Sequence, residues 1–175
     1  MDFTIVTPSF NQLDYLACCI ASIADQGGVT CEHIVQDGGT LGFPEFAKEM
    51  ERQWPERPGY RRIMTSERDS GMYDAVNKGL KKGTGKICAY LNCDEQYLKG
   101  ALKSVKAGRE ENGGWEILYG GFFVVDGRGE LITAQRPVKM SWAHVGTSHL
   151  ANFTCATFFT REMLEREKAY FDTQY

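Results

Sequence analysis

The sequence predicts an α/β fold in which a mostly parallel β-sheet is flanked by helices. In the first half of the 175-residue chain, four short β-prone runs alternate with segments whose apolar residues recur at helical spacing. The fourth run is apolar throughout from Ile87 to Leu91, as expected of a central strand that is covered on both faces. Beyond Asn92 the alternation stops and a hairpin signal appears, so the second half is expected to add mixed or antiparallel strands.

Each β-prone run of the first half ends at a turn, and a helical segment follows the first three. The predicted strands are Phe3–Thr7, His33–Gln36, Arg61–Thr65 and Lys86–Leu91. The predicted helices are Leu13–Ala24, Pro44–Trp54 and Met72–Lys82, and Gly83 ends the last of them. Strands that are joined through helices in this way pair in parallel, which gives a doubly wound layer.

The second half carries one more helical segment and several β-prone runs. A helix is expected near residues 101–107, and strands are expected at Ile117–Tyr119 and Phe122–Val125. Asp126-Gly127 then favours a hairpin turn before the β-prone pair Leu131-Ile132.

Composition and charge predict a single globular domain over residues 1–175. The chain is 42% hydrophobic and 25% charged, which is ordinary for a soluble protein. Its net charge of -3 and scattered basic residues argue against nucleic acid as a partner. No apolar segment approaches the roughly 20 residues needed to span a bilayer, and no signal peptide is evident, so we expect a cytoplasmic protein without a transmembrane segment. The six cysteines include no C-x-x-C pair, which predicts reduced thiols and no zinc site.

Acidic and amide side chains follow the predicted strands at the point where each strand ends. Asp37 follows the second strand, Asp69 the third, and Asn92 and Asp94 the fourth. In an open parallel sheet, ligands bind outside the carboxyl ends of the strands, where the strand order reverses. We therefore expect these side chains to lie along one edge of the sheet and to face a ligand.

Carboxylates that are concentrated at one edge repel one another and need a counter-charge. Oxygen ligands select Mg²⁺ or Mn²⁺, and such ions keep part of their coordination shell for water and substrate phosphates. The sequence contains neither a P-loop nor a G-x-G-x-x-G fingerprint. The residues thus indicate metal-dependent chemistry on a nucleoside diphosphate that is not held by a phosphate loop.

Four stretches resemble, in order and spacing, the motifs of the family-two inverting glycosyltransferases with the GT-A fold. They are FTIVTPSFNQLDYLACCIASI, HIVQDGGT, SERDSGMYDAVNKGLKKGTG and AYLNCDE. The resemblance is close from Phe3 to about Gln96 and continues more weakly through LYGGFFVVDGRGEL and ATFFTREMLE. It implies a nucleotide-binding half at residues 1–97 and an acceptor-side half, apparently truncated, at residues 98–175.

The resemblance implies transfer of a sugar from a nucleotide donor, commonly a UDP-sugar, to an acceptor hydroxyl with inversion. The acceptor would be a saccharide or a lipid-linked molecule, as in polysaccharide or glycolipid biosynthesis, and the enzyme could act at the inner face of the membrane. Mn²⁺ or Mg²⁺ would stabilise the departing diphosphate. A homodimer is left open.

The same resemblance assigns roles to seven residues. Thr7, Pro8 and Ser9 would line the nucleoside pocket, and Asp37 would bind the base. Asp69 would lie close to the nucleotide. Asn92 and Asp94 occupy the place of the family's D-x-D motif, with Asp94 as the metal ligand and Asn92 near the ribose or the metal.

Structural explanations compete with some of these roles. Asp37 precedes two glycines and is, on its own, as expected of a turn residue. Asp74 lies one turn before Lys78 in the third predicted helix, where it can simply complement the helix dipole and form an ion pair. Asn77 is equally ambiguous. Of the three histidines, only His149 is placed in the sequence where it might reach the site.

The resemblance leaves the acceptor side incomplete. The general base that inversion needs would follow YFDTQY, where this chain stops, so no residue is assigned to that role. Thr154-Cys155 stands where relatives often have His-Gln, and Arg68 replaces a frequent proline. Two alternatives to a complete transferase therefore stay open: a nucleotide-sugar-binding module without turnover, and the amino-terminal part of a larger enzyme.

Overall fold

The computed structural model describes residues 1–111, 114–139, 141 and 152–174. The first half contains four strands, β1 (Phe3–Ser9), β2 (Cys31–Asp37), β3 (Tyr60–Ser66) and β4 (Ile87–Tyr90). They are joined by three helices, α1 (Leu13–Ala24), α2 (Phe43–Gln53) and α3 (Met72–Lys82). The alternation predicted from the sequence is confirmed, and α3 has the predicted bounds.

The second half continues with α4 (Ala101–Glu111), β5 (Ile117–Tyr119), β6 (Phe122–Val125) and β7 (Leu131–Gln135). After a short 3₁₀ turn (Thr154–Ala156) come β8 (Thr157–Thr160) and α5 (Arg161–Arg166). In the part of the chain that the structure describes, no helix is long and apolar enough to cross a bilayer.

The main sheet has six strands in the order β3-β2-β1-β4-β8-β5. The first four strands are parallel, and β8 is antiparallel to both of its neighbours. Strands β6 and β7 form a separate antiparallel hairpin. This mostly parallel sheet with a mixed carboxyl-terminal part is the predicted fold class, and β4 is a central strand as its apolar sequence indicated.

Helices cover both faces of the main sheet. On one face, Ile5 and Ala89 pack with Cys19 and Ile23 of α1 and with Leu102 of α4. On the other face, Val6, Ile34 and Cys88 pack with Val76 and Leu80 of α3 and with Leu164 of α5. The buried strands leave only their ends and the connecting loops to contact a ligand.

Strand β1 is longer than the sequence suggested, because it continues through Pro8 to Ser9. A proline within a strand lacks the amide that would join the ladder. The Val6 carbonyl accepts the Leu91 amide from the β4 side, and Pro8, two residues further on, faces the same side. The ladder between β1 and β4 ends at Val6 and Tyr90, so no partner for the missing amide is needed there.

At the opposite end of the sheet, a buried carboxylate joins several elements. Glu32, at the start of β2, accepts a hydrogen bond from the Thr4 hydroxyl (2.6 Å) and from the amides of Thr84 and Gly85, and it forms an ion pair with Arg61. Burial by itself raises the pKa of Glu32, but the hydrogen bonds, that from Thr4 first, lower it to about 2. Glu32 is therefore ionised and ties β1, β2, β3 and the α3–β4 loop together.

The carboxyl-terminal segment packs against α3. The side chain of Asn77 donates to the Phe171 carbonyl (2.8 Å) and accepts from the Phe171 amide (2.9 Å). The Phe171 ring stacks on Tyr73 and meets Tyr90 edge-on. Asn77, which was ambiguous in the sequence, thus holds this segment beside the end of β4.

Candidate functional site

A cleft of about 400 Å³ lies at the carboxyl ends of β1 and β4. The strand order reverses between these two strands, because β2 and β3 follow on one side of β1 and β4 lies on the other. The cleft is lined by residues from three connected regions. They are Pro8, Ser9, Phe10 and Gln12 after β1, Asp69, Gly71, Met72 and Ala75 around the start of α3, and Asn92, Cys93 and Asp94 after β4.

The β4 tip is held in a tight turn that presents Asn92 and Asp94. The Asn92 amide donates to Glu95 Oε2 (2.8 Å), and the Glu95 amide donates to the Asn92 carbonyl (3.0 Å). Burial raises the pKa of the Glu95 carboxyl, and the neighbouring negative charge of Asp94 acts in the same direction. Asp94 itself is exposed at the cleft.

Two buried oxygens in the cleft lack a partner. Within the described residues, neither the Ser9 hydroxyl nor Asn92 Oδ1 has a hydrogen bond of normal geometry, and the Ser9 hydroxyl is only close to the Cys93 thiol. A buried polar atom without a partner costs roughly 1–3 kcal/mol. Both atoms belong to residues of the cleft wall but have almost no accessible surface, so a ligand that supplies a hydrogen-bond donor or a cation would satisfy them once the side chains turn toward the cleft.

Two oxygen donors at the β4 tip are of the type that a divalent cation binds. Asn92 Oδ1 and the exposed Asp94 carboxylate are hard oxygen donors on the same turn. Among the described residues, no group of three or more His, Cys, Asp or Glu side chains is arranged to hold a metal. Two protein donors are too few to enclose an ion, so any ion held here would complete its shell with water and substrate oxygens.

Asp69 brings the loop before α3 into contact with the β1 and β2 tips. Its Oδ1 accepts the Gly71 amide (2.9 Å). A Cβ added at Gly38 would lie 3.3 Å from Asp69 Oδ2 and 3.1 Å from Phe10 Cδ2. The three predicted strand ends thus meet around Gly38, as expected for parallel strands.

Of the seven predicted site residues, five line the cleft and two do not. Pro8, Ser9, Asp69, Asn92 and Asp94 are in its wall, whereas Thr7 and Asp37 are absent from it. Thr7 is buried in the sheet, where its hydroxyl is hydrogen-bonded to His33 Nε2 (2.9 Å). Only the backbone of Thr7 could contact a ligand.

The Asp37 carboxylate is buried and already accepts four hydrogen bonds. Oδ2 accepts from the amides of Gly39 (3.0 Å) and Thr40 (2.7 Å) and from the Ser66 hydroxyl (2.6 Å). Oδ1 accepts from the Thr40 hydroxyl (2.6 Å). The turn role that the sequence suggested for Asp37 is present in the structure, and one lone pair of Oδ1 is left for a further donor.

Asp74 has the structural role that the sequence left open. It accepts the Ser70 amide (3.1 Å) at the start of α3 and pairs with Lys78 Nζ (3.0 Å). The hydrogen bond from Ser70, followed by that from Lys78, lowers the pKa of Asp74. His149 lies outside the described residues.

Sequence reasoning assigned no role to several residues of the cleft wall. They are Phe10, Gln12, Gly71, Met72, Ala75 and Cys93. Phe10 is the one with a signal in the sequence, because it directly follows a strand that ends at the carboxyl edge of the sheet, where ligands bind. In the structure Phe10 is 60% exposed.

A model of a known protein family matches most of the chain. The family is described as Glycosyl transferase family 2, and residues 4–158 match it. A PGL/p-HBAD biosynthesis glycosyltransferase from Mycobacterium bovis is 29% identical over 119 residues, which cover 67% of this chain and 45% of that protein. The chain thus spans about half the length of this relative.

Solved structures share the fold across almost the whole chain. TarS 1-349 from S. aureus, in complex with UDP-GlcNAc, has a TM-score of 0.73 at 16% sequence identity. The match covers 98% of this chain and 49% of the TarS chain. A mannosyltransferase from Pyrobaculum calidifontis, PcManGT, in complex with GDP-Man and Mn²⁺, has a TM-score of 0.69 at 17% sequence identity. That match covers 99% of this chain and 48% of the PcManGT chain.

Proposed function

Because the chain belongs to glycosyl transferase family 2 and has the GT-A fold, we propose that it binds a nucleoside diphosphate sugar in the β1–β4 cleft and transfers the sugar with inversion. The observation that carries the proposal is the pair of buried oxygens without a partner, Ser9 Oγ and Asn92 Oδ1, in a cleft at the point of strand reversal. Such atoms are stabilised when a polar ligand fills the cleft.

In this proposal the nucleoside lies against the β1 tip. Pro8 and Ser9 are in the cleft wall and Thr7 offers its backbone, while the exposed Phe10 ring gives the base an apolar face. Asp37 is buried outside the cleft wall, so its contribution to the base site is to hold Thr40 and Ser66 in place. Asp69 and Phe10 both lie beside Gly38. UDP is the proposed nucleotide, as suggested by the sequence motifs and by the complex of TarS with UDP-GlcNAc.

Asp94 and Asn92 would hold Mn²⁺ or Mg²⁺ at the β4 tip. When bound, the ion supplies positive charge that stabilises the departing diphosphate. The protein's own contribution is to fix the two ligands, since the Asn92–Glu95 hydrogen bonds hold the turn. We assign no residue as the base that accepts the proton of the attacking hydroxyl.

The proposal is tested by calorimetric titration of the chain with UDP, GDP and dTDP, with and without Mn²⁺. We expect the metal to tighten binding of one diphosphate by at least about tenfold, which corresponds to roughly 1.4 kcal/mol. Asp94→Ala should abolish that gain and leave the metal-free affinity nearly unchanged. Asp126→Ala, which removes an exposed carboxylate from the β6–β7 turn, is the matched control and should keep the gain. Equal affinity with and without metal in the native chain would overturn the assignment of Asp94.

A second candidate is the amino-terminal part of a larger transferase, with an acceptor site built partly by further residues. The observation in its favour is the apolar surface of the β6–β7 hairpin, where Phe123, Val125, Leu131 and Ile132 are exposed.

Turnover distinguishes a transferase from a nucleotide-sugar-binding module. A complete transferase releases nucleoside diphosphate when it is given donor, metal and acceptor, whereas a binding module releases none. The acceptor is proposed to be a saccharide or a lipid-linked molecule at the inner face of the membrane, and homodimerisation stays a proposal that sedimentation can test.

A further inference from the structure

The loop that follows β1 forms one wall of the cleft and is tethered on both sides. On the β2 side, the Asn11 amide donates to the Thr40 hydroxyl (2.8 Å). On the β4 side, the Cys93 thiol donates to Gln12 Oε1 (3.0 Å). The loop residues Phe10 and Gln12 both line the cleft, so the two tethers determine where this wall lies.

The Thr40 hydroxyl uses both its donor and its acceptor capacity. It donates to Asp37 Oδ1 (2.6 Å) and accepts from the Asn11 amide (2.8 Å), and Thr40 is buried. Asp37 is in turn fixed by Ser66 of β3. A hydroxyl is the smallest side-chain group that can relay a hydrogen bond in this way, so Thr40 connects the β1 loop to the ends of β2 and β3.

The tether acts at a backbone position with a positive φ. Asn11 has a φ of 56°, in the left-handed region that few residues other than glycine occupy and that asparagine adopts more readily than most. The hydrogen bond to Thr40 favours this conformation and keeps the chain turned after Phe10. With the turn in place, the Phe10 ring lies against Gly38, where an added Cβ would be 3.1 Å from it, and remains exposed to the cleft.

We propose that Thr40 is a positioning residue for the nucleoside: it has no place in the cleft wall, and it sets nucleoside affinity by holding Asn11 in its left-handed conformation and Phe10 in the wall. The inference rests on the proposed function of the cleft. It predicts that removal of the Thr40 hydroxyl lowers the affinity for the nucleoside end of the ligand. This loss of affinity should be the same with and without the metal at the β4 tip.

The test compares Thr40→Val, which keeps the shape but has no hydroxyl, with Thr40→Ser, which keeps the hydroxyl. Affinities for UMP without metal and for UDP with Mn²⁺ are measured by calorimetry. We expect Thr40→Val to weaken both by the same factor of about 5–10, because the hydrogen bond that holds the Asn11 amide is lost together with the one to Asp37, and the gain from Mn²⁺ to persist. Thr40→Ser should remain within about twofold of the native chain.

The matched control is Thr4→Val, which makes the same change at the opposite end of the sheet. It removes the donor to the buried Glu32 and the acceptor for the Gly85 amide and Arg161, and it should lower the free energy of unfolding without changing either affinity. A merely structural role of Thr40 would make the two variants behave alike. As a measurement on the native chain, the Asn11 amide should exchange slowly with solvent when no nucleotide is present.

Each result decides between the two ideas. If the native chain binds neither UMP nor UDP, the proposed function fails and the inference fails with it. If the native chain binds them and Thr40→Val binds equally well, or Thr40→Ser is as weak as Thr40→Val, the inference alone is overturned. Fast exchange of the Asn11 amide in the native chain would overturn it even if Thr40→Val does not fold.

Discussion

His33 is a fully buried histidine that the structure keeps neutral. It lies in β2, where Nε2 is hydrogen-bonded to the Thr7 hydroxyl and Nδ1 has no partner among the described residues. Burial, and secondarily the positive charge of Arg62, lowers the pKa of His33 to about 3. Unfolding returns the side chain to water, where its pKa is about 6.5.

This difference predicts an acid sensitivity that belongs to one residue. Below about pH 6.5 the unfolded chain binds a proton at His33 that the folded chain does not. The free energy of unfolding therefore decreases as the pH is lowered from about 6.5 to about 3. Between pH 6.5 and 5 the loss is about 1.7 kcal/mol. Urea unfolding of the native chain and of His33→Gln at several pH values measures this loss. It is the difference between the two slopes of the free energy of unfolding against pH. Parallel slopes would contradict the assignment, and other titrating groups cancel in the comparison.

Some residues of the cleft could be predicted from the sequence and others could not. The place of Asp94 and Asn92 in the cleft wall could be predicted, because residues that follow a central parallel strand lie at the carboxyl edge of the sheet. Thr40 could not, because its role depends on two hydrogen bonds to residues 3 and 29 positions away in the chain. Asp37 is an intermediate case. The sequence indicated that it could be a turn residue, but not that its carboxylate accepts four hydrogen bonds.

Helix α3 approaches β1 closely enough that one position must be glycine. A Cβ added at Gly79 would lie 2.4 Å from Val6 Cγ1, a distance at which the helix or the strand must move. Alanine normally stabilises a helix interior relative to glycine, so packing reverses the usual preference at this site.

We therefore expect Gly79→Ala to lower the free energy of unfolding by roughly 1–3 kcal/mol, as overpacking does. Gly108→Ala in α4 is the control, because no described atom lies within 4 Å of a Cβ added there; it should raise stability by about 0.5–1 kcal/mol. Chemical denaturation of both variants measures the two signs. Stabilisation by Gly79→Ala would show that α3 and β1 are not packed as described.

The elements themselves were mostly predictable, because each strand and helix of the first half has its own local period and stop signal. The place of β8 between β4 and β5 was not. Its partners are distant in the sequence, and an antiparallel strand inserted beside a parallel one leaves no local mark. The strand through Pro8 was missed for a related reason, since only the end of the β1–β4 ladder explains why a proline is tolerated there.

For the molecule as a whole, the β6–β7 hairpin is an apolar feature outside the main sheet. Leu131 and Ile132 are 63% and 64% exposed, and side chains of this size in a group mark a surface that is prone to association. We expect Leu131→Thr combined with Ile132→Thr to reduce binding of an apolar dye and concentration-dependent association, with a change in the free energy of unfolding within about 0.5 kcal/mol for each substitution.

The control is Leu98→Thr, because Leu98 is also 63% exposed but belongs to the β4–α4 connection. Dye fluorescence and sedimentation velocity make the comparison. Equal dye binding by the native chain and the double variant would mean that the hairpin surface is not available to ligands or partners.

Glu32 and the cleft lie at opposite ends of the same strands. The carboxylate that ties β1, β2, β3 and the α3–β4 loop together is at the start of β2, and the loops that meet a ligand leave from the other ends. The buried hydrogen bonds that hold the strands together are thereby separated from the residues that shape the cleft. Substitutions near Phe10 and Asp69 can change the cleft without touching the group around Glu32, so the shape of the cleft and the stability of the sheet can vary independently.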